Sequence, residues 1–148
     1  MQNELLRHTL ATIDYRFRKA TQEFPADFGQ LSLGKGVRTP IEIIRHMFQV
    51  LSATKVFLEE GAFRRPSAPD LDLMGEHSRF LALLVELDKV LAQLDLSNGA
   101  TKLLIQGPFS DVLTHVGQIA MMQRLMDNPI PGENFSIAKI RTDLSGDG

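Results

Sequence analysis

The 148-residue sequence predicts an all-α protein that folds as an antiparallel up-and-down four-helix bundle. Apolar residues recur at three- and four-residue steps in four long segments, which is the pattern of amphipathic helices. Alternating strand patterns bounded by turn residues are essentially absent, and short or medium connections favour antiparallel neighbours. With 43% hydrophobic and 23% charged residues the composition is that of a globular protein, so we expect one domain over residues 1–148.

The first two helices are predicted from their apolar stripes and from the residues that bound them. The first runs from about residue 2 to residue 22 and is followed by a Pro- and Gly-containing loop, long enough to form a wall of a site. The second begins at a capping box, in which Thr39 precedes Pro40 and Glu42 can reach back to the N-cap. Gly61 and the Pro-rich residues 65–69 end it.

The third helix is predicted from about residue 70 to residue 96, where residues 97–99 (Ser-Asn-Gly) supply a stop signal. Residues 101–106 are expected to form a short helical turn. Gly107 and Pro108 then open the fourth helix, which should end near residues 127–129 (Asp-Asn-Pro). Residues 137–148 are expected to form a loosely ordered tail with a frayed Gly/Asp-rich end.

Charge and cysteine content exclude several classes of function. Sixteen Lys and Arg against eighteen Asp and Glu give a net charge of -2, so the broad positive field of a nucleic-acid-binding protein is missing. The absence of Cys leaves His and carboxylates as the ligands for any metal ion, and any thiol must come from a cosubstrate. No apolar run approaches a membrane span and no signal peptide is visible, so we expect no membrane partner and a cytoplasmic location.

Three polar residues on two helices form the candidate metal site. His46 flanks the apolar stripe of the second helix, and Asp111 and His115 lie one turn apart beside the apolar face of the fourth. In an up-and-down bundle these two helices run the same way, so the three side chains are expected at similar depth. Asp and His four residues apart are also common as a surface ion pair, and that interpretation remains open.

Three segments carry a resemblance to the DinB-like superfamily of four-helix-bundle metalloproteins. Residues 39–46 (TPIEIIRH) resemble its helix-two motif, residues 115–119 (HVGQI) its helix-four motif, and residues 128–135 (NPIPGENF) its closing segment. The resemblance implies a divalent metal, zinc or nickel, bound by three histidines. Here Asp111 stands where the family has a histidine, which keeps three ligands, His46, Asp111 and His115, but favours harder metals such as Mn or Fe.

The resemblance further implies an activity and an assembly. It suggests a metal-dependent hydrolase, or a thiol-dependent transferase that uses a thiol cosubstrate, acting on a small-molecule substrate. The alternative is a non-catalytic binding or oligomerisation module in which Asp111 marks a degenerate metal site. A homodimer is implied for many members, and the apolar end of the fourth helix agrees with either a subunit contact or core packing: Met121, Met122, Leu125 and Met126.

The remaining candidates are weaker. His77 lies on the apolar stripe of the third helix, near its start, and is interpreted as a core or boundary residue at the opposite end of the bundle from His46. His8 is expected to be solvated. Glu133 lies in a Pro- and Gly-containing turn and is a candidate fourth ligand or general base. Three arginines are candidate anion contacts without an assigned role: Arg38, Arg45 and Arg124.

Overall fold

The computed structural model describes residues 1–146 and is all-helical over that range, which confirms the predicted fold class. No β-strand occurs among those residues. The α-helices, in chain order, are α1 (Glu4–Ala20), α2 (Pro40–Glu60), α3 (Leu73–Gln93), α4 (Asn98–Leu104) and α5 (Ser110–Leu125). Two 3-10 turns (Phe28–Gln30 and Phe135–Ile137) and a π-helical turn (Ile105–Phe109) complete the structure. Over residues 1–146, none of the helices combines the length and apolar character needed to span a membrane.

Helix α2 begins and ends where its capping residues predict. The Thr39 side chain accepts a hydrogen bond from the Glu42 amide, and the Glu42 carboxylate accepts one from the Thr39 amide, so the capping box is complete. At the other end Gly61 adopts a left-handed conformation with φ 85°, which glycine reaches without strain, and its amide bonds Phe57. The position of His46 within α2 is therefore fixed by local sequence at both ends.

The chain before α5 differs from the prediction. Ser97 does not simply stop the third helix, which ends at Gln93; its side chain caps the start of α4 by accepting a hydrogen bond from Ala100. Pro108 does not open the fourth helix either, because it lies inside the π-helical turn. A widened turn tolerates a residue that lacks an amide donor. Residues 98–125 thus form one unbroken helical run, considerably longer than the predicted helix.

The four long helices pack on one another around a single apolar core. Helix α2 contacts α3 and α5, and α1 contacts the same two helices from the other side. The largest apolar side chains that are fully buried come from these helices, from the first 3-10 turn and from the π-helical turn: Phe17, Phe28, Phe80, Phe109, Leu6, Leu10, Ile13, Ile43, Ile44, Met47 and Leu51. The predicted apolar stripes of the first and second helices are confirmed as core.

The directions of α2 and α3 contradict the up-and-down arrangement. Arg45 of α2 bonds Glu76 of α3, and one turn further along both helices the Arg79 guanidinium lies 4.2 Å from the centre of the Phe48 ring. Contacts that advance together along both chains mean that α2 and α3 run parallel. The connection permits this, because twelve residues from 61 to 72 can span roughly 40 Å when extended, more than the length of α2.

A buried ion pair joins α1 to α3 and also binds the end of the chain. Arg7 donates two hydrogen bonds to the Asp88 carboxylate, both at 2.8 Å, and both side chains are almost completely inaccessible to solvent. The amide and hydroxyl of Ser145 donate to the same carboxylate, and Arg7 also contacts Asp143. Residues 143–145 of the expected loose tail are therefore bound to the core, while residues 147–148 lie outside the described part.

The protonation of Asp88 is governed by two opposing effects. Burial favours the neutral acid, but the hydrogen bonds from Arg7 and Ser145 outweigh it and hold the pKa of Asp88 below its usual range. The pair is consequently charged at neutral pH.

We predict that Asp88→Asn lowers the free energy of unfolding by about 3 kcal/mol, because the buried Arg7 guanidinium loses its bidentate carboxylate. Urea titration at pH 7 measures the change. Asp95→Asn, at an exposed position two residues after the same helix ends, is the matched control and should stay within about 0.5 kcal/mol of the wild type.

A second signature is the pH dependence. Since the folded-state pKa of Asp88 is depressed, its contribution is present above the unfolded pKa of about 3.9 and is lost as the pH falls through the folded value. Stability of Asp88→Asn should therefore fall less between pH 5 and pH 3 than that of the wild type. Equal slopes would contradict the assignment.

Candidate metal centre

The structure brings His46, Asp111 and His115 together. One ligand atom from each residue lies within 4.8 Å of the other two. The His46 Nε2 is 3.5 Å from Oδ2 of Asp111, and the His115 Nε2 is 3.5 Å from Oδ1 of the same carboxylate. The two imidazole rings meet edge to face, with centroids 4.9 Å apart. Over residues 1–146 this is the one group of three or more His, Cys, Asp or Glu with the spacing of a cation site.

The predicted residues meet for a different geometric reason from the one predicted. Helix α5 runs antiparallel to α2: Ile43 lies beside Gln118 and Met122, whereas Ala53, further along α2, lies beside Gly107. Residues 98–125 form one helical run, so His115 lies in the interior of a long helix and not near its start. In the antiparallel packing this interior position lies opposite the early turns of α2, where His46 is located.

Burial differs among the three side chains. His115 is 10% exposed and His46 17%, whereas Asp111 is 45% exposed. Burial, together with the nearby charges of Arg38 and His115, lowers the pKa of His46, although Asp111 opposes the change. His46 is therefore a neutral imidazole at pH 7, which is the form that donates a lone pair to a metal ion.

Gln118 orients His115 from the opposite side of the ring. The His115 Nδ1–H donates to Oε1 of Gln118 at 2.8 Å, because an amide oxygen can only accept. In this tautomer the Nε2 carries the lone pair, and this is the atom that faces Asp111. Such partners of metal-binding histidines hold the ring and its tautomer in place. The sequence offers Gln118 only as part of the segment 115–119, with no role of its own.

A cleft of about 710 Å³ opens beside Asp111, between α2, the π-helical turn and the connection that follows α2. We call it the Asp111 cleft. Its lining combines apolar, polar and charged residues: Val50, Ala53, Phe63, Arg64, Arg65, Gln106, Gly107, Pro108, Ser110, Asp111 and Thr114. The sequence did not identify Phe63 and Arg65, because they lie in a connection without periodicity. Parallel packing of α2 and α3 is what brings this connection alongside α2.

Glu133 is not placed at the site. Its carboxylate accepts a hydrogen bond from the Tyr15 hydroxyl at 2.8 Å and lies 3.3 Å from Nζ of Lys19, so it is bound on the surface of α1. The prediction of a fourth ligand or general base is therefore wrong for this structure. The Pro- and Gly-containing turn folds against the first helix instead of over α5.

The other two histidines also stay outside the site. His77 stacks on Phe17 and contacts the Thr21 hydroxyl, which confirms its boundary role. It does not lie at the opposite end from His46, however: its neighbour Glu76 bonds Arg45, because α3 runs parallel to α2. Its contacts are with Phe17 of α1 and with Thr21 at the end of that helix, so His77 faces α1. His8 is not simply solvated, since its Nδ1 lies 2.8 Å from the Thr142 hydroxyl.

The arginines and methionines divide into paired and exposed groups. Arg45 binds the buried Glu76, whereas Arg38 has no hydrogen-bond or ion-pair partner within residues 1–146. Met122 is 1% exposed and belongs to the core. Met121 and Leu125, four residues apart on one face, are more than half exposed. The end of α5 therefore has an exposed apolar face in addition to its buried one.

Comparison with protein-family models, with curated proteins and with solved structures found no significant match to the chain. Two imidazoles and one carboxylate form a donor set that Zn, Ni, Mn and Fe all accept in proteins. The residues therefore fit a divalent cation.

We predict that His115 is the Nδ1–H tautomer at neutral pH, opposite to the Nε2–H form that free imidazole side chains favour. Long-range ¹H–¹⁵N NMR correlations of the metal-free protein report which nitrogen carries the proton. Gln118→Leu, at an exposed position, should return His115 to mixed tautomers without changing the helical circular dichroism. An unchanged His115 spectrum in this variant would contradict the orienting role.

Proposed function

We propose that the chain is a DinB-like metalloprotein in which His46, Asp111 and His115 bind one divalent cation in the cell cytoplasm. Within that proposal the four long helices form a four-helix bundle with α2 and α3 parallel, rather than the up-and-down bundle predicted. The motif resemblance of residues 39–46 and 115–119 supports membership in the superfamily.

One observation carries the proposal: ligand atoms from two separate helices converge within 4.8 Å, and a third side chain orients one of them. A chance surface ion pair between Asp111 and His115 needs neither His46 nor Gln118. Both are present, and the side chains of His46 and His115 are mostly buried. Two imidazoles and a carboxylate at this spacing form a donor set that a divalent cation accepts.

We infer a reaction on a small molecule, either hydrolysis or transfer to a thiol. A bound divalent cation would act there as a Lewis acid that polarises a substrate or acidifies water. The chain itself contributes the three donors, the orientation of His115 by Gln118, and the Asp111 cleft that admits a substrate beside the carboxylate. Because the chain has no Cys, a thiol must enter as a cosubstrate.

The identity of the metal follows from the ligands. Two imidazoles favour zinc or nickel, and the carboxylate of Asp111 raises the relative affinity for Mn and Fe. Zinc is our first choice because three protein ligands with one open position are typical of catalytic zinc.

The second candidate is a non-catalytic binding or oligomerisation module with a degenerate metal site. Asp111 favours it, since a carboxylate that is 45% exposed and 3.5 Å from each imidazole can serve as an ion-pair partner alone. A homodimer is compatible with both candidates. The exposed side chains of Met121 and Leu125 are the apolar groups that such a contact would cover.

We predict one zinc ion per chain in protein prepared without an affinity tag and reconstituted at pH 7.5, measured by elemental analysis after dialysis. His46→Gln, Asp111→Asn and His115→Gln should each weaken zinc binding more than about tenfold, since even residues that only orient ligands contribute about 10–100-fold. His8→Gln and Asp95→Asn are the matched controls and should bind as the wild type does. Absence of stoichiometric metal after reconstitution would reject the metal site.

The Asp111→His variant separates the two candidates. If Asp111 is a native ligand, this variant should change zinc affinity less than about tenfold while weakening manganese relative to zinc. Competition with a chromophoric chelator gives both affinities. A large gain in zinc affinity from a negligible wild-type value would instead favour the degenerate module.

A further inference from the structure

We propose that the Asp111 cleft binds an amphipathic small-molecule anion, with a carboxylate head group at Arg65 and an apolar body on the wall that contains Phe63. This proposal names the class of substrate for the proposed metal site. It rests on the proposed function only in that the ligand would lie next to that site. The cleft, the Arg65 guanidinium and the apolar lining are all formed by residues of this chain.

The head-group contact is assigned to Arg65 by elimination among the charges of the cleft. Arg64 is already bound to Glu60, with 3.2 Å between the guanidinium and the carboxylate. Arg65 has no hydrogen-bond or ion-pair partner anywhere in the described chain, residues 1–146. A planar guanidinium presents donors in a fork that matches a carboxylate. Arg65 is thus the available anion contact in this cleft.

The position of Arg65 connects the cleft to the metal-ligand group. It lines the Asp111 cleft and also a second, polar pocket that contains His46 and Arg38. Three carboxylates also line these two pockets: Asp111 in the cleft, and Glu42 and Asp70 in the polar pocket, where Asp70 lies 3.6 Å from Arg45. The attraction for an anion therefore comes from the Arg65 guanidinium itself, which has no carboxylate partner among residues 1–146.

The body of the ligand is assigned by the apolar part of the lining. Phe63 stacks on Phe57 with ring centroids 4.4 Å apart and planes within 6°, so its ring is held in place although Phe63 is 47% exposed. Val50, Ala53 and Pro108 add further apolar surface to the cleft. A side chain added at Gly107 would meet no atom within 4 Å, which shows open space along this part of the lining. A volume of about 710 Å³ is within the range of small-molecule sites.

The experiment compares 4-phenylbutyrate with its neutral isostere 4-phenylbutyramide, titrated into metal-free and zinc-reconstituted protein and followed by ¹H–¹⁵N NMR. We expect the carboxylate to bind the metal-free protein at least about fivefold more tightly than the amide, because only the carboxylate forms charge-assisted hydrogen bonds. Arg65→Gln should abolish that preference. Arg124→Gln, which removes the same charge from an exposed position at the end of α5, should retain it.

A second variant tests the location without touching a charge. Thr114 lines the cleft from an exposed position on α5, so Thr114→Trp should fill the cleft and weaken both probes without disturbing the core. Equal binding of the two probes, or equal effects of Arg65→Gln and Arg124→Gln, would overturn the inference. A carboxylate preference in protein that never binds zinc would leave the inference intact while rejecting the proposed metal function. Zinc binding without any preference for the carboxylate would support the metal site and overturn the proposed anion site.

Discussion

The parallel packing of α2 and α3 determines most of what lies around the candidate site. It is held at its start by Glu76, a fully buried carboxylate bound by Arg45, by Arg79 and by the amide of Leu71. A buried charge without partners would be strongly unfavourable, so these contacts fix α3 against the first turns of α2. The connection between the helices must then return along α2. Phe63 and Arg65 reach the Asp111 cleft because of that return path.

The helices themselves could be predicted because their signals are local. Thr39, Pro40, Glu42 and Gly61 define both ends of α2 through backbone hydrogen bonds and conformation, independently of the rest of the chain. Helix direction is a different matter, since it depends on which face packs on which neighbour and on how far a connection extends. Twelve residues between α2 and α3 permit either direction. Glu76 decides between them, and the sequence shows it only as one acidic residue near a helix start.

The residues of the candidate site were predicted to converge, although two expectations about the helices that carry them were wrong. His46, Asp111 and His115 were selected from their positions beside apolar stripes, and they do converge. The second and fourth helices were expected to run the same way, whereas α5 runs antiparallel to α2. The helical run at residues 98–125 was also underestimated, because Ser97 and Pro108 resemble boundary signals. Glu133 was misplaced for a related reason: nothing local indicates that its turn binds Tyr15 and Lys19 of α1.

The attachment of Ser145 to Asp88 bears on how the protein forms during synthesis. Arg7 belongs to the first helix and Asp88 to the third, whereas residues 143–145 leave the ribosome after all five helices. Until then the Asp88 carboxylate lacks two of its donors, so α1 and α3 can meet only in a less stable arrangement. Completion of the native core is thereby coupled to translation of a segment that follows α5.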